Sequence, residues 1–355
     1  MKIKLSDPKI FVVTIAWLII LVFVGTVDQK YIGLYAAQNK YFSSLMFWFW
    51  YIPLPGGMLT MFILTCNLIA FLLQKNIWNT KKIGVIIIHL GSILLLIGGG
   101  ITYFFSFEGA MPITTRNKIS NFMYSYHDKE LVIINENEYQ DSLEFTKFNE
   151  KILFSGNQLT YPTIPFDITI LNYCVNAKRI GNNDIECIDS EIEDAENNSA
   201  IKLLVETKNA EYQNINGEYI SALGYKNPRI KINNIYYNIV LQPKKTYLPF
   251  SLELINVTEV LHPNSAIAQS YSSEVNIIDN GQSRRKLIEM NIPLRYKGYT
   301  FYQAHYEEDQ NTGVKTSVLA VVKNYGRLFP YISSIIMCIG VLLQMFIRIP
   351  RLLKK

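Results

Sequence analysis

The stretch IGVIIIHLGSILLLIGGGITYFF, residues 83–105, decides the fold class. It carries no carboxylate, lysine or arginine. A helix of this length rises about 34 Å at roughly 1.5 Å per residue, enough to cross a hydrocarbon layer about 30 Å thick. Working outward, residues 10–27 (IFVVTIAWLIILVFVGTV) form a second such run, residues 54–73 a third and residues 329–347 a fourth. The run at 10–27 is longer than the roughly 7–15 residues of a signal-peptide core, so it reads as an uncleaved helix. Composition agrees, with 49% of the 355 residues hydrophobic and 18% charged.

Lysine and arginine set the orientation. Lys2, Lys4 and Lys9 precede the first run, Lys75, Lys81 and Lys82 separate the second from the third, and Arg348, Arg351, Lys354 and Lys355 follow the fourth. Four crossings put these segments on one side, and the positive-inside bias makes that side cytoplasmic. Residues 1–105 then form an N-terminal membrane region, 106–328 an extracytoplasmic domain, 329–347 the last span and 348–355 a basic cytoplasmic tail. The short basic segments account for the formal net charge of +5 without a nucleic-acid partner. Phe47-Trp48-Phe49-Trp50-Tyr51, followed by Pro53, Pro55, Gly56 and Gly57, reads as an interfacial element, because Trp and Tyr favour headgroups and the Pro/Gly cluster interrupts a helix.

Residues 106–328 have another texture: polar, rich in Asn, Tyr and β-branched residues, and punctuated by turn signals. Strands are expected at 166–172, 201–206, 229–232, 236–242, 250–260, 273–278, 300–306 and 316–322, with a tight turn at Asn233-Asn234. Many short strands without helical periods predict an all-β sandwich or open barrel. The acidic, Asn-rich stretch 182–198 reads as an exposed loop.

Absences narrow the chemistry. The sequence has no C-x-x-C, no C-x-x-C-H and no phosphate-binding glycine loop, which excludes a dithiol oxidoreductase, a c-type cytochrome and a P-loop enzyme. Gly98-Gly99-Gly100 reads as a site of close helix packing. Cys66 and Cys338 lie in spans and read as small buried hydrophobes. Cys174 and Cys187 share the outer segment, where their spacing admits either a disulfide or two thiols. Of four histidines, His127, His262 and His305 fall in the β-rich segment and read as surface or hydrogen-bonded residues.

His89 is different. It is an ionisable group inside an apolar span, about 9 Å from the cytoplasmic end at roughly 1.5 Å per residue. Such groups are costly in lipid and mark either functional sites or protein-buried hydrogen bonds. The residue types leave open a metal ligand, a cofactor ligand, a proton relay, or a structural bond to a neighbouring helix. No second intramembrane histidine accompanies it, so a two-ligand porphyrin site would take its other ligand from another subunit.

An ordered set of motifs resembles one family. Gly25-Thr26 with Gln29, His89-Leu90-Gly91 opening a span that ends in Phe107-Glu108-Gly109, Leu248-Pro249-Phe250, and Asn291-x-Pro293-Leu294 followed by Gly298 and Phe301-Tyr302-Gln303 are similar to the ResB (CcsB) family of system II cytochrome c biogenesis. The resemblance implies a multi-pass protein of a bacterial cytoplasmic membrane that works with a CcsA-type partner. That complex is thought to move haem outward and attach it to apocytochrome c, whose thiols a thioredoxin-like reductase keeps reduced. The chain would then be a non-catalytic or jointly catalytic subunit of a haem lyase. His89 matches the family's intramembrane haem-ligand histidine. Departures are the short outer segment and the lack of a tryptophan-rich haem-handling stretch. Two other classes compete. A membrane-anchored extracytoplasmic sensor or receptor explains the architecture but not His89, and a quinone-linked b-haem subunit would need paired histidines.

The topology is testable directly. Reporter fusions after Lys82 and after Phe105 are expected to report opposite sides of the membrane, and the same side for both would remove the span at 83–105.

Overall fold

The computed structural model describes residues 4–137, 143–180, 184–189, 197–265 and 268–352. The chain divides into two compact units, one comprising Met1–Phe107, Lys297–Tyr299 and Val322–Lys355, the other Glu108–Tyr296 and Thr300–Val321.

The first unit is helical. Asp7 caps α1 (Pro8–Ile32) by accepting from the Lys9 N–H, with proline at the first helical position. After a short α2 (Leu34–Ala37) and one π-type turn, β1 (Met46–Phe49) and β2 (Ile52–Pro55) pair as a hairpin. Trp50 turns the corner at φ 55°, and Trp50 and Tyr51 are 86% and 93% exposed, so the aromatic stretch ends in a bare tip. Helix α3 (Gly57–Leu72) therefore begins past Leu54 and runs 16 residues. That is about 24 Å at roughly 1.5 Å per residue, shorter than a hydrocarbon layer. Helices α4 (Ile83–Phe105) and α5 (Phe329–Leu352) follow. Three helical segments, Pro8–Ile32, Thr80–Phe105 and Phe329–Ile349, are long and apolar enough to cross a membrane.

Helices α1 and α3 run antiparallel. The buried Asn67 amide donates to the Leu5 and Asp7 carbonyls, and Trp17 Nε1 to the Pro55 carbonyl at 2.9 Å. Helices α4 and α5 meet along facing small residues at seven-residue spacing, Gly84 and Gly91 against Gly340 and Ser333, while Gly98 backs onto Gly326 just ahead of α5 and onto the Phe329 side chain that opens it. Seven residues are nearly two turns, so each set forms one stripe. A Cβ on Gly84 would come 2.5 Å from the Gly340 carbonyl oxygen, and one on Gly91 3.1 Å from that of Ser333. By contrast Gly99 and Gly100 have nothing within 4 Å, so of that triplet only Gly98 packs closely. Lys82 offers α4 no side-chain cap; instead Gln344 of α5 accepts from the Val85 N–H and donates to the Lys81 carbonyl, both at 3.3 Å. At the other end Asn324 accepts from the Thr102 and Ser106 hydroxyls and the Gly326 N–H. The alternating directions bring Lys4 and Lys75 onto one hollow and Lys81 beside the C-terminal half of α5.

The second unit is all-β. Strands β3 (Phe107–Thr114), β4 (Ile119–Asn137) and β5 (Leu143–Asn149) lead into β6 (Gln158–Leu159), β7 (Phe166–Cys174), β8 (Ala177–Ile180), β9 (Asp184–Cys187), β10 (Ala200–Thr207) and β11 (Gly217–Ala222). Then come β12 (Arg229–Ile232), β13 (Ile235–Leu261), β14 (Ala268–Asp279), β15 (Gln282–Glu289), β16 (Leu294–Tyr296), β17 (Tyr299–Glu308) and β18 (Lys315–Lys323). Strands β11-β10-β7-β6 form one sheet, and a ten-stranded sheet runs β15-β14-β13-β4-β3-β18-β17-β16, with β12 on β13 and β5 on β4. Alternate residues of both turn into one core: Phe166, Ile168 and Ile170 of β7 and Ile201, Leu203 and Val205 of β10 meet Leu131, Ile133, Ile239 and Leu241. Two sheets packed through such alternation are a sandwich.

The expected strands are present, several of them longer. Residues 236–242 and 250–260 belong to a single strand, β13, which pairs with β4 and then β14 while its register shifts across Pro243 and again between Tyr247 and Leu252. Bulges absorb the prolines that a sequence reads as breaks. Asn233, at φ 55°, begins the tight turn where Ile232 faces Ile235. Of the stretch expected as a loop, Asp184–Cys187 pairs with Ala177–Ile180, and residues 182–183 and 190–196 lie outside the described residues. Cys174 and Cys187 form a disulfide with 5.2 Å between Cα atoms, closing a 13-residue separation. A loop of that size contributes about 3 kcal/mol. Cys66 is half-buried and Cys338 exposed, so Cys338 does not sit in a protein interior.

The glycine seam gives a graded test. Gly84→Ala is expected to lower the melting temperature of the detergent-purified chain, by overpacking worth about 1–3 kcal/mol. Gly99→Ala, in open space, should leave it unchanged or slightly raised.

Candidate functional site

Helix α4 places His89 five residues beyond Gly84, roughly 140° around the axis at about 100° per residue. The imidazole therefore points away from the α5 seam and towards α3. There its ring stacks on Phe71, centroids 4.4 Å apart and planes at 23°. Leu72, Ile77 and Ile86, with Phe71 and Ile93, form an adjoining apolar cluster. Trp78 Nε1 donates to the Leu72 carbonyl at 2.8 Å and ties off the end of α3 beside it.

The hydrogen bonding of the ring decides what it can do. Nδ1 lies 2.8 Å from the Val85 carbonyl, one turn earlier in the same helix. A carbonyl only accepts, so Nδ1–H is the donor in this contact. Nε2 has no hydrogen-bond partner among the described residues. The hydrogen bond that His89 makes runs within its own helix. An imidazole oriented through an Nδ1–H to a carbonyl is the usual arrangement of a histidine ligand. The i−4 carbonyl was readable from spacing alone; Phe71 was not, because its position depends on how α3 packs on α4.

The other histidines do not assemble a site. His127 is half-buried on β4, whereas His262 and His305 are exposed. Among the described residues no group of three or more His, Cys, Asp or Glu could hold a metal ion.

The motif residues of the β-rich segment are packing and turn residues. Leu248, Phe250 and Phe301 are buried, and the Phe250 ring meets Tyr296 edge-on at 4.9 Å and Phe301 at 6.0 Å. Lys297 and Gly298, at φ 45° and 81°, form the two-residue turn between β16 and β17. The buried Gln303 amide donates to the His305 carbonyl and to Ser317 Oγ, and Ser317 in turn bonds Ser273 at 2.6 Å. At the opening motif, a Cβ on Gly25 would lie 3.0 Å from the Phe42 ring.

Fold and site define a class: an apolar helical unit bearing one oriented intrahelical imidazole, and an all-β unit inserted before the last helix. Within that class a ResB-like family model matches residues 231–319, from β12 to β18. Protein NrfI of Wolinella succinogenes is 22% identical over 347 residues, covering 93% of this chain and 34% of that protein. The chain thus spans about a third of the length of the curated relative it matches. Together these matches show the resemblance to the ResB family that the motifs carry. With the three long apolar helices, they support a membrane protein.

Gln303→Leu should separate a structural from a ligand role for its motif. Stranding the Ser317 and Ser273 hydroxyls costs about 1–3 kcal/mol, so thermal denaturation of the purified chain should shift down while any copurified haem stays in proportion to folded protein.

Proposed function

We propose that this chain is the ResB-type half of a system II cytochrome c biogenesis complex and that His89 supplies one axial nitrogen, Nε2, to haem iron. The observation that carries the reading is the division of labour on the ring, Nδ1–H bonded to Val85 and Nε2 unpartnered in an apolar setting. Imidazole is a common axial ligand for haem iron. The stacked Phe71 and the apolar cluster of Leu72, Ile77 and Ile86 suit a porphyrin face. One donor fits one axial position, so the second ligand comes from a CcsA-type partner. Haem would bring the iron and its porphyrin; this chain's part would be to orient the imidazole through Nδ1. Apocytochrome c is the acceptor, and a thioredoxin-like reductase would keep its thiols ready.

The same reading places residues 106–328 outside and both termini in the cytoplasm. Support comes from the basic segments that share one end of the helical unit and from the Cys174–Cys187 disulfide, which belongs in an oxidising space. Helix α3 would be the fourth crossing, at a locally thinned position that its 16 residues demand.

Purified alone, the chain should bind haem weakly; coexpressed with its CcsA-type partner, the complex should copurify with haem. His89→Ala is expected to lower haem per complex by about tenfold or more, to lower cytochrome c assembly, and to leave the two proteins associated. Added imidazole should restore part of both. Should His89→Gln or His89→Asn retain full haem occupancy and normal assembly, the ligand assignment is wrong.

A further inference from the structure

Strand β4 buries two adjacent charges, Lys129 and Glu130, at 7% and 5% exposure. Neighbours on a strand point to opposite faces, so the pair cannot neutralise itself. Glu130 is well provided for: its carboxylate accepts from Gln242 Nε2 at 2.9 Å and the Lys245 N–H at 3.2 Å, with Lys147 Nζ at 3.9 Å. Lys129 is not. Its Nζ donates only to the Tyr126 and His127 carbonyls, at 3.5 and 3.3 Å, and forms no ion pair among the described residues. Glu150, the acid beside it, spends one oxygen on the Lys129 backbone N–H and the other on the Tyr173 hydroxyl.

Lys129 lines a hollow of about 470 Å³ within the β unit. The walls are Tyr124, Tyr126, Leu223, Leu241, Pro243 and Val318. Burial pushes the Tyr124 and Tyr126 hydroxyls up from their ordinary range, with Glu108 adding to the effect at Tyr126. A buried cation without a counter-charge is costly, and the cost disappears when an anion shares the site. The volume falls within the range of small-molecule pockets, about 300–1,000 Å³, which combine apolar walls with a few convergent polar groups. Neither the motif residues between Leu248 and Gln303 nor His89 lines it.

We infer that this hollow binds an amphipathic carboxylate, its anionic group on Lys129 and its apolar body against Leu223, Leu241, Pro243 and Val318. Two sources share that chemistry: an aliphatic fatty acid and the propionate edge of a porphyrin. The site stands apart from the His89 assignment, and a His89→Ala chain should bind as the unaltered chain does.

The test uses the full chain in non-ionic detergent with a diazirine-bearing palmitic acid and, as its neutral counterpart, the methyl ester. Peptide mapping after photolysis should find the acid attached near residues 223–243 or Val318. Lys129→Met should reduce that labelling about tenfold or more, the value of a charge-assisted hydrogen bond, whereas Lys129→Arg should keep most of it. Competition by unlabelled palmitate alone identifies an aliphatic ligand, and competition by metal-free protoporphyrin, which cannot coordinate His89, identifies the porphyrin. Equal labelling by acid and ester, or undiminished labelling in Lys129→Met, overturns the inference. If Lys129→Met does not fold, Leu223→Trp, which fills the hollow, should abolish labelling instead; persistence there would overturn the inference equally.

Discussion

Much of the helical unit depends on one close contact, the seam where α4 and α5 meet through glycine and serine. In lipid there is no hydrophobic gain in bringing two apolar helices together, so association rests on packing and on polar groups that find partners. Gly84, Gly91 and Gly98 facing Gly340, Ser333 and Gly326 let the backbones approach to contact. Gln344 and Asn324 then fix the register at the two ends by satisfying α4's first N–H groups and its last hydroxyls. Ser333 Oγ is buried within this seam without a hydrogen-bond partner, the one such atom among the described residues. A small polar side chain is tolerated there because anything larger would part the helices.

The seam also determines what His89 can do. With one face of α4 consumed by α5, the imidazole lies on the face turned to α3, where Phe71 flanks it. Its Nδ1 proton is spent on Val85 in its own helix, so orientation of the ring does not draw on a neighbouring helix. The result is a ring oriented through Nδ1, with Nε2 unpartnered among the described residues.

In the β unit, polar chemistry is unevenly settled. The Gln303–Ser317–Ser273 network is closed on itself, and Glu130 Oε1 accepts from two donors with the Lys147 ammonium at 3.9 Å. Closed networks of this kind specify a fold and leave nothing for a ligand. Lys129 is the exception, and its position on the same strand as Glu130 shows how far apart two adjacent residues can be in electrostatic terms.

The sequence by itself determined the class of this protein. Uncharged runs longer than a bilayer, lysines and arginines at their ends, and turn residues between alternating apolar positions are local signals, and local physics reads them. His89 was visible for the same reason, as an imidazole that lipid would not tolerate idly. The tertiary structure decided the rest. It joined two expected strands into β13, because bulges at Pro243 and beyond Tyr247 need a partner strand to form against. It began α3 at Gly57, because pairing of Ile52–Pro55 with Met46–Phe49 outcompetes a longer helix. It closed Cys174 on Cys187, which spacing left open, by bringing the end of β7 beside β9. It also separated the glycine that packs, Gly98, from the two that do not, and Lys129 from the many lysines that face water. Burial and contact depend on what lies across the gap, and a single chain position does not carry that information.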